Sequence, residues 1–177
     1  MKIWRVAERI EGWFAGKEAE AIYNLAKASK DAVVEVGSFV GRSSYVLAAA
    51  GPVTCIDPFD GVLPLSPHIK PKNTWIGFKK NVLDSPWGKN VTVIKGRDEE
   101  VFPTWTKPVG FLFLDHDHRD GPVRRSLLGW KPHMVSDARV ALHDYGHERY
   151  PEVKSACEAV GFQIERVVLT LGIGYWP

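Results

Sequence analysis

The sequence predicts an α/β fold, a three-layer αβα sandwich with a mostly parallel central sheet. Two observations lead to this prediction. Short apolar runs of strand length alternate with helical segments along the whole chain, and short links join them. Several of these runs also end at a glycine turn or on an acidic residue, which is where open α/β sheets bind their ligands. No linker or internal repeat divides the chain, so residues 1–177 are expected to form one domain.

The N-terminal third predicts a helix–strand–helix–strand order. A helix is expected over residues 18–28, where apolar residues at helical spacing form one face and charged residues the other. The apolar run at 33–37 is the first strand, and it leads through a glycine turn into an alanine-rich helix at 42–50. Gly51-Pro52 ends that helix. The second strand, at 53–57, ends on an acid.

The middle of the chain begins with a proline-rich stretch at 58–73, which excludes regular structure and is expected to form a loop carrying His68 over the sheet edge. Apolar residues at helical spacing then predict a helix at 74–85. The third strand is expected at 91–95, and Gly96-Arg97-Asp98 closes it.

The C-terminal half continues the alternation. The run at 109–115 is apolar at both odd and even positions, as expected for a central parallel strand that is covered on both faces. A helix at 121–130, a strand at 138–143 and a helix at 151–161 follow. The last two runs predict an antiparallel pair of strands at 162–169 and 171–176.

Composition excludes several classes of function. The net charge is +2 with scattered basic residues, which gives no nucleic-acid footprint. No apolar run has the length of a membrane span, and the N-terminus does not begin like a signal peptide. The two cysteines fit buried thiols in a reducing compartment, so a cytoplasmic location is expected.

The turn after the first strand carries the pattern Glu35-x-Gly37-x-x-x-Gly41. A strand that ends in a tight turn at a helix N-terminus directs backbone N–H groups and the helix dipole toward a small volume, which suits the polar end of a nucleotide-like cofactor. A dinucleotide fingerprint needs a glycine where Phe39 stands, so a bound pyrophosphate is not expected. Asp57, at the end of the second strand, is placed to bridge two ribose hydroxyls, and residues 96–98 are placed to line an adenine pocket.

These features resemble the class I S-adenosylmethionine-dependent methyltransferases over nearly the whole chain. Within that family, Gly41-Arg42-Ser43 resembles the catechol-type pattern, in which a serine binds the cofactor carboxylate, and the nearest likeness is the small metal-associated subgroup with the macrocin-type sugar O-methyltransferases. The resemblance implies a Rossmann-like seven-stranded sheet with a reversed last strand and S-adenosylmethionine as cofactor. The cofactor-binding residues that it implies are Glu35, Gly37, Ser38, Gly41, Ser43, Asp57, Arg97 and Asp98.

The segments Asp115-His116-Asp117-His118 and His143-Asp144 are the most distinctive part of the sequence. Asp115 and Asp144 end two strands that are adjacent in this fold, and their oxygens suit Mg²⁺ holding a substrate hydroxyl. His118 matches the family's Asp-x-x-His placement of a general base, so Asp115 and His118 are the predicted catalytic residues.

The third metal ligand stays open, with Asp117, His143 and Glu35 as candidates. The Asp-Asn pair of catechol-type enzymes is absent because Tyr145 follows Asp144, and this argues against a catechol substrate.

The leading hypothesis is O-methylation of a small hydroxylated molecule, either a sugar or another natural product. The residues expected to edge the acceptor pocket are the 58–73 loop, Trp75, Tyr145, His147 and Tyr150. Two alternatives are a metal-dependent hydrolase on an α/β scaffold and a non-catalytic cofactor-binding module that acts through partners. A homo-oligomer is compatible with the short chain.

Overall fold

The computed structural model describes residues 2–61 and 73–177. Its core is a seven-stranded sheet, and its strands are β1 (Ala32–Val36), β2 (Val53–Asp57), β3 (Val91–Lys95), β4 (Val109–Leu114), β5 (Met134–Leu142), β6 (Gln163–Val168) and β7 (Leu171–Tyr175). The spatial order is β3-β2-β1-β4-β5-β7-β6. Adjacent strands from β3 to β5 are parallel, whereas β7 runs antiparallel to both β5 and β6. The predicted fold with its reversed last strand is confirmed.

The helices of the described chain are α1 (Ile3–Ala7), α2 (Gly16–Ala28), α3 (Arg42–Ala50), α4 (Thr74–Phe78), α5 (Asp98–Val101), α6 (Asp120–Trp130) and α7 (Pro151–Ala159). They cover both faces of the sheet. On one face α2 packs against α3, and on the other α6 packs against α7. None of the helices within these described ranges is long and apolar enough to cross a lipid bilayer.

Strand β4 shows why this sheet is buried on both faces. Phe111 and Phe113 pack into the apolar layer that contains the N-terminal helices, and Leu112 and Leu114 pack into the layer that contains α6 and α7. Side chains alternate along a strand, so a strand covered on both sides must be apolar at successive positions. The sequence pattern of this strand was therefore interpreted correctly.

Three local predictions differ from the structure. The sequence analysis gives no helix at the position of α1. The strand expected at 138–143 begins earlier, at Met134, because Met134 pairs with Val109 of β4 before a register irregularity. The helix expected at 74–85 is shorter in the structure: α4 ends at Phe78, and a wide π-helical turn follows at Lys79–Leu83. That turn brings Asn81 within hydrogen-bond distance of a backbone carbonyl in the β1–α3 turn. His68 lies outside the described residues.

The carboxyl ends of the parallel strands meet along one edge of the sheet. Leu114 pairs with Leu142, so Asp115 and His143 follow side by side at that edge, and the backbone N–H of His143 donates to the carbonyl of Leu114 at 3.0 Å. The turn after β1 and the end of β2 lie at the same edge. The candidate site residues are therefore gathered here by topology.

Candidate active site

The turn between β1 and α3 is compact because glycine occupies two positions with positive φ. Gly37 has φ +89°, and a Cβ atom at this position would lie 2.0 Å from the carbonyl oxygen of Asp115. Gly41 has φ +97°, and its Cβ would lie 2.2 Å from Cγ2 of Val82. No L side chain fits such approaches without displacing the neighbour. The two glycines of the motif therefore allow close packing of backbone, and Gly41 does not line the cavities described below.

Glu35 lies beneath this turn with 0% exposure. Its carboxylate accepts hydrogen bonds from the hydroxyls of Ser38 at 2.7 Å, Ser43 at 2.6 Å and Ser44. Burial raises the pKa of Glu35, although the three hydroxyl hydrogen bonds oppose that rise. Glu35 thus joins the strand to the turn and to the first turn of α3, and it contributes no wall to the cavities of the site.

Asp57 receives the backbone amides of the same turn. Its carboxylate accepts from the N–H groups of Ser38 at 2.7 Å, Phe39 at 2.9 Å and Phe59 at 2.6 Å. Burial raises the pKa of Asp57, and these amides oppose the rise. From the sequence, the backbone amides of this turn are expected to point at a ligand. In the structure, the amides of Ser38 and Phe39 donate to Asp57 instead. A carboxylate has about four acceptor positions, so about one remains for a ligand hydroxyl.

A first cavity of about 420 Å³ opens over the ends of β1, β2 and β3, and its size is typical of small-molecule sites. Its apolar floor includes Val36 and Ile56. Polar residues on its wall include Asp57, Asp60, Arg97, Asp98, His116 and Ser126. The guanidinium of Arg97 forms an exposed ion pair with Asp60 at 3.2 Å, and Asp98 accepts from the indole N–H of Trp130 at 3.2 Å. A mixed apolar and hydroxyl-accepting wall suits a nucleoside.

A second cavity of about 860 Å³ adjoins the first. The residues that line both cavities are Gly37, Phe39, Asp115, His116, Asp117 and Arg119. Ser38 and Ser43 lie on the wall of the second cavity, as do Trp13 and Phe14 of the N-terminal segment. A ligand that extends past Gly37 from the first cavity therefore enters the second.

His118 lies in the second cavity between two carboxylates. Its Nε2 is 3.5 Å from Oδ1 of Asp115 and 3.2 Å from Oδ2 of Asp144. The imidazole stacks on the ring of Tyr150, with centroids 4.6 Å apart and an interplanar angle of 22°. The structure therefore brings together the three residues that were predicted as catalytic or metal-binding at these strand ends.

His143 completes the cluster from the other side. Its Nδ1 lies 3.2 Å from Oδ1 of Asp115 and 3.4 Å from Oδ2 of Asp144. Burial opposes a charge on His143, but the neighbouring carboxylates outweigh it and raise its pKa well above the ordinary value. Burial likewise favours a neutral Asp115, yet the two histidines hold its pKa well below the usual range.

The far nitrogen of His143, Nε2, faces Oε2 of Glu18 at 3.8 Å. Glu18 is only 2% exposed, and it is held by the N–H of Ala15 at 2.9 Å and by the N–H and hydroxyl of Thr170 at 3.1 and 2.7 Å. Burial raises the pKa of Glu18, but the neighbouring imidazole of His143 and the hydrogen bonds from Ala15 and Thr170 outweigh burial and lower it overall. The carboxylate of Glu18, on helix α2, thus faces the side of His143 that points away from Asp115 and Asp144.

Two of the three candidate third ligands do not join the cluster. Asp117 forms an ion pair with Arg119, and Glu35 lies under the turn, so only His143 contacts Asp115 and Asp144.

The residues expected at the acceptor pocket divide in a similar way. His147 and Tyr150 line the second cavity. Tyr145 instead packs against Gly172, and Trp75 stacks on Phe78, so among the described residues neither lines the two cavities.

Glu18, Trp13 and Phe14 line the second cavity, although none of them is a site residue expected from the sequence. A signal for Glu18 was present, because it stands four residues before Ile22 and therefore on the apolar face of α2. An acid on a buried helix face needs a partner, and that requirement could have marked it. No comparable signal marked Trp13, whose position depends on the path of the N-terminal segment.

A family model described as a methyltransferase domain matches residues 34–145, which is more than half of the chain.

Among solved structures, the S-adenosylhomocysteine-bound methyltransferase PaMTH1 of Podospora anserina has a TM-score of 0.73 at 10% identity, with 98% of this chain and 86% of that chain covered. The O-methyltransferase NovP has a TM-score of 0.67 at 14% identity, with coverages of 89% and 78%. CalS11, a TDP-rhamnose 3′-O-methyltransferase of calicheamicin biosynthesis, has a TM-score of 0.64 at 12% identity, with coverages of 92% and 81%. At these identities the likeness shows the fold.

Proposed function

This chain belongs to the methyltransferase-domain family and is an S-adenosylmethionine-dependent methyltransferase, and from that premise we propose that it methylates a hydroxyl oxygen of a small molecule. The observation that carries the proposal is the position of His118. This imidazole lies between Asp115 and Asp144 in the cavity that adjoins the nucleoside-sized one. A methyl donor in the first cavity and a proton acceptor in the second would thus lie on the two sides of the shared wall.

The described residues fit the cofactor. The first cavity offers Asp57 for one ribose hydroxyl and the segment at Arg97 and Asp98 for the base. S-adenosylmethionine supplies an electrophilic methyl group on a sulfonium. The family resemblance implies that the Ser43 hydroxyl binds the cofactor carboxylate. In the structure, however, the single hydrogen of that hydroxyl is donated to Glu35. We therefore propose that the carboxylate end lies beside the start of α3, where the helix dipole is favourable.

In the second cavity, His118 is proposed to accept the proton of the acceptor hydroxyl. The carboxylates at 3.2 and 3.5 Å from its Nε2 stabilise the imidazolium that forms. Tyr150 fixes the plane of the ring by stacking. Positioned proton transfer of this kind contributes about 10²- to 10⁴-fold to rate.

Assistance by Mg²⁺, which the sequence suggested, fits these residues poorly. Asp115 and Asp144 provide oxygen, but both carboxylates are also approached by the imidazoles of His118 and His143. Magnesium prefers oxygen ligands and several waters. No step of the proposed reaction is therefore assigned to magnesium.

The acceptor is proposed to be a sugar or another hydroxylated natural product. Trp13, Phe39 and Tyr150 give the second cavity aromatic walls, which suit the flat faces of such molecules. CalS11 is a TDP-rhamnose 3′-O-methyltransferase and NovP is an O-methyltransferase, and both support this choice by analogy of fold. We further propose that the whole chain acts as one methyltransferase domain.

The test combines cofactor binding with turnover. Titration calorimetry should show one S-adenosylhomocysteine per chain, and a panel of sugar nucleotides and phenolic glycosides should be screened for S-adenosylhomocysteine release. With an active acceptor, His118→Asn should bind the cofactor normally and lose about 100-fold or more in kcat. His133→Ala is the matched control, because this histidine lies outside both cavities.

Full activity of His118→Asn would refute the general-base role. Absence of cofactor binding would refute the proposal as a whole. Cofactor binding without turnover across the panel would favour a cofactor-binding module that acts through a partner.

A further inference from the structure

We propose that the methyl acceptor is an uncharged hydroxylated molecule with an apolar substituent, such as an aryl glycoside, and that Leu169 and Trp13 bind this substituent in the second cavity. The inference rests on the proposed function, because it names the class of acceptor for the same site. Three features support it: the exposed apolar side chains, the backbone conformation of Leu169 and the charge of the cavity wall.

Two large apolar side chains lie exposed on the wall of the second cavity. Leu169 is 56% exposed and Trp13 is 62% exposed, and both line this cavity. The other exposed large apolar side chains within the described ranges, Ile76, Leu128 and Val167, line neither cavity. Exposed apolar surface at a ligand cavity indicates that a ligand covers it.

The backbone of Leu169 gives the second argument. Leu169 and Thr170 form the two-residue loop between β6 and β7, since Val168 pairs with Leu171 on either side of them. Leu169 has φ +57°. Hairpin loops favour glycine, asparagine or aspartate at a positive φ, because a bulky side chain is disfavoured there. An exposed leucine in this conformation on a cavity wall is explained by what its side chain binds.

The loop is held in place beside the cavity by its second residue. The N–H and hydroxyl of Thr170 donate to Glu18 at 3.1 and 2.7 Å, and the carbonyl of Thr170 accepts from the N–H of Gly146 at 3.1 Å. The hairpin is therefore tied to helix α2 and to the segment that follows β5. Leu169 is presented on a fixed backbone, which reduces the ordering that binding would require.

The charge of the cavity wall argues against an anionic acceptor. Six carboxylates and three guanidiniums line the second cavity, so the wall is acidic even when His143 is counted as an imidazolium. The carboxylates belong to Glu11, Glu18, Asp115, Asp117, Asp144 and Glu152. Like charges repel more strongly in a partly enclosed cavity than in bulk water, so a phosphate or carboxylate on the acceptor is disfavoured.

The guanidiniums on this wall offer little to an anion. Arg42 donates to three backbone carbonyls, and Arg119 forms an ion pair with Asp117. Of the three, only Arg149 has a guanidinium without an ion pair in the part of the chain that the structure describes, and it is exposed. A single exposed cation does not offset the excess of carboxylates.

The polar and apolar parts of the wall come from different segments. His118 and its carboxylate neighbours follow the central strands, whereas Trp13 belongs to the N-terminal segment and Leu169 to the β6–β7 hairpin. The ring of Trp13 also lies 5.9 Å from that of Phe39, which extends the apolar surface. An acceptor that uses both parts places a hydroxylated ring at His118 and an apolar group at Leu169 and Trp13.

The experiment measures binding of matched ligands to the full chain saturated with S-adenosylhomocysteine. Glucose, galactose and rhamnose are each tested as the phenyl glycoside, the methyl glycoside and the anomeric phosphate, which share the hydroxylated ring and differ in the substituent. Titration calorimetry should show that the phenyl form of at least one sugar binds at least tenfold more tightly than its methyl or phosphate form.

Leu169→Gly separates the role of the side chain from that of the turn. Glycine relieves the positive φ and removes the apolar group, so the variant should unfold at the same or a higher temperature. We expect it to lose about fivefold or more of the preference for the phenyl form, with unchanged S-adenosylhomocysteine affinity. Val167→Ala is the matched control, because Val167 is 48% exposed on the same hairpin and lies outside both cavities.

Equal or tighter binding of the methyl or phosphate forms, no binding of any phenyl form, or an unchanged preference in Leu169→Gly would overturn the inference. The inference is also overturned if Leu169→Gly abolishes self-association in sedimentation without changing glycoside affinity, since the apolar surface would then be an interface between copies of the chain.

The two proposals fail in distinguishable ways. If S-adenosylhomocysteine binds and the phenyl preference is absent, the acceptor class alone is refuted. If S-adenosylhomocysteine does not bind, the proposed function is refuted, and titration of the phenyl glycosides into the chain alone still decides whether Leu169 and Trp13 bind an apolar substituent.

Discussion

Arg42 donates a hydrogen bond from its guanidinium to the carbonyl oxygen of Phe14 at 3.0 Å. The same guanidinium also donates to the carbonyls of Ile10 at 2.6 Å and Glu8 at 3.3 Å. One side chain at the start of α3 therefore satisfies three carbonyls of the N-terminal segment. Trp13 and Phe14 of that segment form part of the wall of the second cavity, so Arg42 links the cofactor turn to the proposed acceptor site.

Arg42→Lys should loosen the N-terminal segment. A lysine ammonium cannot reproduce the planar fork that reaches three carbonyls at once. We expect faster amide hydrogen exchange in residues 8–15 and a higher KM for the acceptor. Arg9→Lys, an exposed change in the same segment, is the control. Unchanged exchange in Arg42→Lys would contradict the proposed link.

Asp57→Ala should weaken S-adenosylhomocysteine binding at least tenfold. The change removes the acceptor for the amides of Ser38 and Phe39 as well as the proposed ribose contact, and hydrogen bonds to a charged group contribute about 1.5–3 kcal/mol each. Titration calorimetry measures the effect. Asp60→Ala, on the same cavity wall, should change affinity about threefold or less, and an equal loss in both variants would argue against a specific role for Asp57.

Glu35→Gln should change how stability depends on pH. Burial raises the pKa of Glu35 in the folded state, so the unfolded chain loses this proton at lower pH than the folded chain does. Stability contributed by the protonated carboxyl is therefore present at low pH, and it falls as pH rises from the unfolded pKa through the folded one. Urea unfolding from pH 4 to pH 8 should show the wild type losing stability relative to Glu35→Gln.

The control for that prediction is Glu35→Ala. It leaves the hydroxyls of Ser38, Ser43 and Ser44 without their acceptor, and we expect it to be less stable than Glu35→Gln at every pH by about 1–3 kcal/mol or more. A constant difference between wild type and Glu35→Gln across the pH range would show that the carboxyl pKa is not raised by folding.

Much of this fold follows from local patterns in the sequence. The strand β4 was predictable because a doubly covered strand is apolar at successive positions. Asp57 and Asp115 were placed correctly because Asp57 is the last residue of β2 and Asp115 directly follows β4. These signals lie within a few residues, where periodicity and turn chemistry act.

The rest of the site depends on contacts between distant parts of the chain. Glu18 meets Thr170 across 152 residues, and no periodicity encodes that approach. His143 and Asp144 are consecutive and would face opposite sides of an extended strand, but Asp144 has φ +59°, which lets both contact Asp115 or His118. The direction of the amides toward Asp57 likewise depends on how the turn folds back on β2.

Trp13 should determine how tightly the acceptor binds. It is 62% exposed on the wall of the second cavity, and its ring lies 5.9 Å from that of Phe39 at an angle of 35°. A large exposed aromatic beside a second ring offers a surface for a sugar or a planar molecule. Trp13→Ala should raise KM for the acceptor about tenfold with little change in kcat or in S-adenosylhomocysteine affinity, and Trp13→Phe should retain most of the binding. Ile76→Ala is the control, because Ile76 is equally exposed at 62% but lies outside both cavities. If both variants raise KM for the acceptor equally, Trp13 has no specific role in acceptor binding.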